Sequence, residues 1–280
     1  MKQHKLPISA SFPPLGKMNP AEGVRFLSEH GFDSMDFNFV AALDMYGSNW
    51  QDMIEEVRRE ADRLGILIVS GHLPFRAPTP EVLHENVLEA IKMAEALGIE
   101  RAVLHPVGNN KMPAGKENHD LWYQKNIDYY NKYIPLADKA GFKLVTENMR
   151  DPHQSLGFHR YASNADELIE IADALGLEIC WDFGHAHEAN LDHYTELLKI
   201  GKRLTLTHLN DNCRGGEDEH LPPFYGTGDW KAACRGLREA GYNHPLNFEL
   251  KFKKLPDEIL PAAADLALAV GELLLDKIFS

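Results

Sequence analysis

The feature that most constrains the fold is an alternation of short apolar runs with helical segments, repeated eight times along the chain. The apolar runs, each predicted as a strand, cover 6–12, 33–39, 66–72, 101–105, 142–147, 177–182, 203–208 and 245–250. The predicted helices cover 20–31, 49–64, 79–98, 119–140, 165–175, 191–200, 230–240 and 256–279, and a loop through 46–47 follows the second strand. Strands that alternate with helices form βαβ units, which place the strands side by side in a parallel sheet.

Glycine marks the ends of five predicted helices, in Leu-Gly or Ala-Gly pairs at 64–65, 97–98, 140–141, 175–176 and 240–241. Eight such units in 280 residues match the size of a (β/α)₈ TIM barrel. The alternative is an open doubly wound sheet, but no glycine-rich phosphate fingerprint follows the first strand. We therefore expect residues 1–280 to form a single TIM-barrel domain. The long loops 106–118 and 209–228 are candidates for a lid or a substrate wall.

Ligand-type side chains stand where most of the predicted strands end. The stretch 179–187 shows the pattern most clearly, because its strand ends in Asp182 and two histidines, His185 and His187, follow the turn glycine Gly184. The other members of the set are His72, His105, Glu147, His208 and Glu249 at strand ends, and Asp218 and His220 in the loop after strand seven. In a TIM barrel these positions converge on one mouth, which is where catalytic groups stand.

A solvated strand end or a helix cap is the commoner explanation for any one of these residues. The explanation fails for the set, because converging Asp, Glu and His side chains would repel one another or lack partners unless a cation lay between them. Mixed oxygen and nitrogen ligands suit Zn²⁺, Mn²⁺ or Co²⁺ and leave an open coordination position. The sequence therefore predicts a divalent metal site at the mouth of the barrel.

Several phrases of the chain resemble the core motifs of the xylose isomerase-like barrel superfamily in order and spacing. These phrases lie at 144–148 (LVTEN), 181–185 (WDFGH), 207–211 (THLND), 218–220 (DEH), 226–230 (GTGDW) and 246–249 (LNFE). The resemblance covers nearly the whole chain. The superfamily holds sugar isomerases and epimerases, inosose-type enzymes and the endonuclease IV family, so the resemblance identifies a superfamily and no particular substrate.

The resemblance implies a ligand set but leaves the number of ions open. Epimerase members hold one divalent ion, and their ligands fall on Glu147, Asp182, His208 and Glu249. Endonuclease IV members hold three zinc ions, and their nine ligands fall on these four residues together with His72, His105, His185, Asp218 and His220. With one ion, the additional five residues would contact substrate or hold the ligands in place, and this is the interpretation that we favour.

Other residues are predicted to bind substrate. Asn148, beside Glu147, is expected to orient that carboxylate or to touch substrate. The mouth-loop arginines Arg76, Arg150, Arg160 and Arg214 are candidates to hold a phosphate or a carboxylate, and Lys251 follows Glu249 toward the mouth. Aromatic candidates for stacking on a sugar are Phe12, Phe75, Trp122 and Phe224, although such residues more often pack in a core.

Composition narrows the function classes. Asp and Glu number 42 against 29 Lys and Arg, and the resulting net charge of −13 disfavours non-specific binding to nucleic acid or membranes. The three cysteines are scattered, as expected in a reducing compartment. The apolar stretch near the N-terminus is too short for a signal peptide, and no run is long enough to span a membrane. We expect a soluble cytoplasmic protein, and the sequence leaves open whether it forms a homo-oligomer.

The hypothesis that we favour is a metal-dependent isomerase or epimerase of a sugar, a polyol or a sugar phosphate. Glu147 and Glu249 would pass a proton through an enediolate as general base and acid, while Asp182 and His208 would act as ligands alone. Two alternatives are a trinuclear-zinc phosphodiester hydrolase of the endonuclease IV type and an inosose-type dehydratase or isomerase. A barrel that only binds a sugar-like ligand is disfavoured by the intact ligand set.

Overall fold

The computed structural model describes residues 6–11, 18–214, 218–251 and 255–279, and in this part of the chain eight parallel strands form a barrel. The strands are β1 Ile8–Ser11, β2 Ser34–Asn38, β3 Leu67–His72, β4 Arg101–Val103, β5 Lys143–Glu147, β6 Glu178–Asp182, β7 Leu204–His208 and β8 Leu246–Phe248. They neighbour one another in the order β7-β6-β5-β4-β3-β2-β1-β8. A parallel bridge between Leu209 and Phe248 joins the two ends of this order. The predicted TIM barrel is therefore confirmed.

Helices follow the strands and cover the outside of the sheet. They are α1 Pro20–Glu29, α2 Phe39–Tyr46, α3 Gln51–Leu64, α4 Pro80–Leu97, α5 Lys116–Asn131, α6 Ile134–Ala140, α7 Ala165–Leu175, α8 Phe183–Glu188, α9 His193–Ile200, α10 Trp230–Glu239 and α11 Leu260–Phe279. Short 3₁₀ turns cover Gln154–Leu156, Gly201–Arg203 and Asp257–Ile259. Among the described helices, none combines the length and the apolar composition needed to cross a bilayer.

Two predicted segments differ from the observed helices. The loop expected after strand two is helix α2, which begins because the side chain of Asn38 caps it by accepting a hydrogen bond from the backbone N–H of Ala41. The single helix expected over 119–140 is divided into α5 and α6, and the break precedes Pro135, which has no N–H to continue α5.

The strand ends near the mouth also differ from the prediction. Strand β4 stops at Val103, so His105 stands two residues beyond it, and β8 stops at Phe248, directly before Glu249. His185 and His187 lie in helix α8, whereas a loop was expected. The predicted end of strand one at Phe12 lies outside the described residues.

The barrel interior has an apolar part and a polar part. Val103, Val145, Cys180 and Leu206, from four neighbouring strands, form a small buried cluster separate from the main core between sheet and helices. On the other side, the buried carboxyl group of Asp36 accepts hydrogen bonds from the hydroxyl groups of Ser11, at 3.1 Å, and Ser70. Burial raises the pKa of Asp36. The sequence analysis did not anticipate this polar layer beneath the mouth.

Helices α9 and α10 pack so closely that Gly236 has no room for a side chain. A Cβ atom there would lie 2.8 Å from Cδ1 of Leu197 and 3.2 Å from the backbone Cα of Tyr194. We expect Gly236→Ala to lower the free energy of unfolding by about 1–3 kcal/mol because the contact is overpacked. Helix propensity alone would predict the opposite sign, a gain of up to about 1 kcal/mol.

Urea unfolding followed by circular dichroism measures this effect. The same substitution in a Leu197→Ala background is the control, since that background removes Cδ1. The cost of Gly236→Ala should be smaller there, and an equal cost in both backgrounds would contradict the packing explanation.

Candidate metal centre

Five of the predicted ligands occupy the carboxyl ends of five strands. His72, Glu147, Asp182 and His208 are the last residues of β3, β5, β6 and β7, and Glu249 directly follows β8. The first four are buried, and 22% of the Glu249 side chain is exposed to solvent. The barrel therefore brings charged groups from separate strands to one closed place at its mouth.

The centre of the mouth is a group of four side chains. One potential ligand atom from each of Glu147, Asp182, His208 and Glu249 lies within 4.8 Å of the others. Nδ1 of His208 is 3.1 Å from Oε1 of Glu147 and 3.3 Å from Oε2 of Glu249. Two carboxylates thus approach one imidazole nitrogen, an arrangement that suits a common cation.

Unpartnered polar atoms test whether a cation fits this group. Oε1 of Glu147 and both ring nitrogens of His208 are buried and make no hydrogen bond, although the short Glu147–His208 contact lies within hydrogen-bond distance. Buried polar atoms without partners are costly, and native proteins rarely leave them so. A divalent ion would satisfy Oε1 of Glu147 and one ring nitrogen of His208, so the residues present fit a metal.

A second group joins the centre through Glu147. Nε2 of His72 lies 2.8 Å from Nε2 of His105, which lies 3.0 Å from Oε2 of Glu147. The ring of Phe75 covers the pair, with its centroid 4.3 Å from that of His105 and 5.6 Å from that of His72. Two imidazoles and a shared carboxylate could hold a further ion or bind substrate hydroxyls.

A third group lies on the side of α8 and the loop after β7. Oδ1 of Asp218 is 2.9 Å from Nε2 of His220 and 3.8 Å from Nε2 of His185. The other ring nitrogen of His220 is 2.7 Å from the backbone oxygen of Glu249, and that of His185 is 2.8 Å from the backbone oxygen of Asn148. Such contacts fix which nitrogen faces the mouth.

The structure thus brings all nine residues of the predicted ligand set together in three groups, of which the first two share Glu147. Among the described residues, Cys180 also forms a group with Glu147 and His208. The sequence analysis treated Cys180 as packing, and its burial in the apolar part of the barrel interior agrees with that interpretation.

The electrostatics of the mouth favour positive charge in the centre and on its Asp218 side. Burial opposes charge on His208, but Cys180, Glu147 and Glu249 raise the pKa of His208 well above its ordinary value. Burial and the neighbouring His105 instead lower the pKa of His72 to about 3, which keeps it neutral and able to bind metal. Burial alone would raise the pKa of Asp218. A hydrogen bond from His220 instead holds that pKa well below its ordinary value.

Asp182 is held by a frame of hydrogen bonds. Its Oδ1 accepts from the backbone N–H of His185 at 2.7 Å, and its Oδ2 accepts from Nδ2 of Asn210 at 2.8 Å. The side chain of Asn148 bonds to the backbone N–H and carbonyl of Asp182 at 2.7 and 2.8 Å. Gly184 leaves the space that Asn210 occupies, since a Cβ there would overlap the amide oxygen of Asn210. Asn148 therefore positions the predicted ligand Asp182, whereas the sequence analysis expected it to orient Glu147 or to touch substrate.

The carboxylate of Asp211 anchors the loop that carries Asp218 and His220. It accepts hydrogen bonds from the backbone N–H groups of Phe224, Gly226 and Gly228 and from Nε1 of Trp230, at 2.8–3.2 Å. Asn210 and Asp211 belong to the motif at 207–211, but no role was predicted for them. Their place two and three residues after the predicted ligand His208 was the available signal.

The cationic candidates differ in their surroundings. Arg150 forms two hydrogen bonds with Glu188, at 2.6 and 2.7 Å, and Lys251 contacts Asp218 at 2.7 Å. Arg214 is exposed and has a backbone φ of 57° in the left-handed region. Lys251 thus directly contacts a member of the predicted ligand set.

Solved structures of similar fold include a sugar epimerase, an epimerase-like protein and a protein with a bound zinc atom. A D-psicose 3-epimerase in the presence of D-fructose has a TM-score of 0.74 and 14% identity, over 96% of this chain and 99% of that chain. A D-tagatose 3-epimerase-like protein has a TM-score of 0.73 and 20% identity, over 98% and 100%. The IolI protein with a bound zinc atom has a TM-score of 0.74 and 16% identity, over 98% of each chain. These likenesses concern the fold.

Sequence relatives match a shorter part of the chain. An uncharacterized protein of Sinorhizobium fredii, y4fM, is 30% identical over 173 residues, which are 59% of this chain and 51% of that protein. An uncharacterized protein of Methanocaldococcus jannaschii, MJ0008, is 32% identical over 143 residues, 51% of this chain and 54% of that protein. The chain thus spans about half of the length of both relatives. The model of the xylose isomerase-like TIM barrel family matches residues 24–269, and the chain belongs to that family.

Proposed function

We propose that this protein is a divalent-metal-dependent isomerase or epimerase of a sugar or polyol. The observation that carries the proposal is the central group, in which Glu147 and Glu249 approach Nδ1 of His208 from different strands, at 3.1 and 3.3 Å. Two carboxylates beside one candidate metal site, Glu147 buried and Glu249 partly exposed, are the groups that proton removal and return at a carbon require. The similar folds of solved ketose epimerases agree with this proposal.

Glu147, Asp182, His208 and Glu249 would hold the ion, for which Mn²⁺, Zn²⁺ and Co²⁺ are the candidates. When bound, the ion would act as a Lewis acid on the substrate carbonyl and acidify the neighbouring C–H. Asp182 serves only as a ligand here, because both of its oxygens already accept hydrogen bonds from the protein.

The proton would pass between the two glutamates. Burial opposes ionisation of Glu147, but His208 and His105 lower its pKa well below the ordinary value, so the carboxylate is available as a base. Glu249 also has a lowered pKa, because the charges of His220 and His208 outweigh its burial. One glutamate would enter the cycle as a carboxylate and take the proton from the carbon beside the carbonyl. The other would enter as a carboxylic acid and donate its own proton to that carbon, so the two glutamates exchange protonation states. The carbon is inverted if the two act on opposite faces.

A second candidate function is phosphodiester hydrolysis by a trinuclear zinc cluster, and the assembly of all nine ligand positions favours it. The charge of the mouth argues against it. Arg150 is paired with Glu188 and Lys251 with Asp218, so neither offers a free cation to track a phosphate backbone. An inosose-type dehydratase or isomerase would use the same central group as the epimerase.

Metal content tests the central group. We expect the purified protein to carry about one divalent ion per chain, and Glu147→Gln to lose most of it because two groups share this carboxylate. His220→Asn should keep the ion, since His220 belongs only to the third group. Elemental analysis by plasma mass spectrometry gives the stoichiometry.

His84→Asn is the matched control, because His84 contacts Tyr133 on the outside of the barrel. Loss of one ion out of several in His220→Asn would favour the trinuclear alternative. Protein without any ion after purification in metal-supplemented buffer would remove the metal proposal.

Solvent exchange tests the chemistry. A ketose or inosose incubated with the enzyme in D₂O should gain deuterium at the carbon beside its carbonyl, as measured by NMR. Glu147→Gln and Glu249→Gln should each slow this exchange by about two to four orders of magnitude, the usual contribution of general acid–base catalysis, when compared at saturating metal. Turnover without deuterium in the product would indicate a hydride shift and reject the two-glutamate mechanism.

Abasic DNA separates the two candidate functions. We expect neither incision of an abasic-site duplex nor salt-sensitive duplex binding, because tracking a phosphate backbone requires several accessible cations, and Arg150 and Lys251 are paired with carboxylates. A fluorescent oligonucleotide, titrated at two ionic strengths, measures both. Incision by low concentrations of the zinc-loaded protein would reverse the ranking.

A further inference from the structure

Arg160 is a basic side chain near the mouth with a buried nitrogen that packing leaves without a hydrogen-bond partner. It lies between the two loops that extend β4 and β5 past the ligands His105 and Glu147. On one side, the Cβ position of Gly108 would lie only 3.2 Å from Cγ and Nε of Arg160. On the other side, the backbone N–H of Met149 donates to the carbonyl of Ala162 at 2.8 Å. The side chain thus packs against the loop that follows the candidate ligand His105, and its charge interacts with that of Glu147.

The side chain of Arg160 is partly buried, and no ion pair joins it to a described carboxylate. Nε of Arg160 makes no hydrogen bond, and no described carboxylate lies within 4.0 Å of its nitrogens. Burial and the neighbouring charge of Arg150 lower the pKa of Arg160, while the charges of Asp151 and Glu147 act in the opposite direction. Desolvating a positive charge without a partner is costly, so the fold retains this arrangement at an expense in stability.

One oxygen of the neighbouring Asp151 is engaged elsewhere, and its Oδ1 makes no hydrogen bond. Oδ2 of Asp151 contacts Nδ1 of His159 at 2.7 Å, and the other ring nitrogen of His159 contacts Glu167 at 2.7 Å. Arg150 is likewise neutralised by Glu188. Arg160 is thus a cationic candidate of the mouth with a buried Nε that has no hydrogen-bond partner among the described residues.

The surrounding loops are tied together, which holds Arg160 in place. The backbone N–H of His159 donates to the carbonyl of Met112 at 2.9 Å, and that of Ala114 donates to Gly157 at 3.1 Å. An isolated antiparallel bridge joins Pro113 to Phe158 between these contacts. A binding group positioned in advance loses less conformational entropy when its ligand arrives.

We propose that Arg160 is an anion-binding residue of the substrate site, and that the substrate carries a phosphate or a carboxylate group in addition to its carbonyl. This inference rests on the proposed isomerase or epimerase function and names its substrate class. The planar guanidinium offers several N–H donors that match phosphate and carboxylate oxygens, and an anion would supply the partner that the protein does not.

Binding of simple anions tests the proposal without relying on turnover. Calorimetric titration of the metal-loaded protein with inorganic phosphate and with D-gluconate should detect binding of at least one, and the preferred probe identifies the group. Arg160→Gln should weaken that binding by at least about tenfold, the loss of one charge-assisted contact. Arg203→Gln, which removes a cation paired with Asp173 at the other end of β7, should bind as the wild type does.

Three outcomes would overturn the proposal. Phosphate and D-gluconate that both fail to bind, or that bind equally to wild type and Arg160→Gln, would show that Arg160 holds no anion; equal binding would place the anion on the metal. A lowered melting temperature of Arg160→Gln with unchanged anion affinity would assign Arg160 to Asp151. Arg160→Lys, which keeps the charge but not the planar group, should show intermediate affinity and guards against a glutamine variant that does not fold.

Kinetics separates this proposal from the function on which it rests. The Michaelis constant of a ketose phosphate or keto-sugar acid should rise in Arg160→Gln by at least about tenfold, while that of the neutral ketose stays unchanged. No exchange with any of these compounds would reject the isomerase function and leave the anion-binding result standing. Exchange with equal constants in both proteins would reject the anion site alone.

Discussion

The structure depends on a group of buried carboxylates and imidazoles at the mouth of the barrel. Several of their polar atoms have no hydrogen-bond partner among the described residues. Glu147, Asp182 and His208 are fully buried, yet an oxygen of Glu147 and both nitrogens of His208 make no hydrogen bond. Burying such groups is unfavourable unless a cation or protons compensate. The raised pKa of His208, where Cys180 and the glutamates outweigh burial, shows the same demand for positive charge.

The surrounding protein is arranged to keep these groups in place despite that cost. Asn148 and Asn210 fix Asp182 from two directions, and Asp211 gathers the backbone of the following loop. The close approach of Asn210 requires a residue without a side chain at position 184. Rigid ligands suit a catalytic ion, because an ion with an open coordination position loses reactivity if its ligands move to fill it.

The fold and the meeting of the strand-end side chains could be predicted because both follow from local rules. Apolar runs that end in Asp, Glu or His, each followed by a helix, specify parallel strands whose carboxyl ends meet. Helix α2 was missed because its cap, Asn38, continues an alternating strand pattern. The buried layer around Asp36 and the isolation of Arg160 could not be predicted, because they depend on which side chains face one another across the barrel and between distant loops.

The central claim is that Glu147, Asp182, His208 and Glu249 hold a divalent cation. Anomalous diffraction from crystals of the protein, measured on both sides of the zinc, cobalt and manganese absorption edges, tests it most directly. The account predicts a peak about 2.0–2.3 Å from an atom of each of these four side chains. A map without such a peak at any edge, in crystals grown with those metals, would contradict it and leave protons as the charge that balances the mouth.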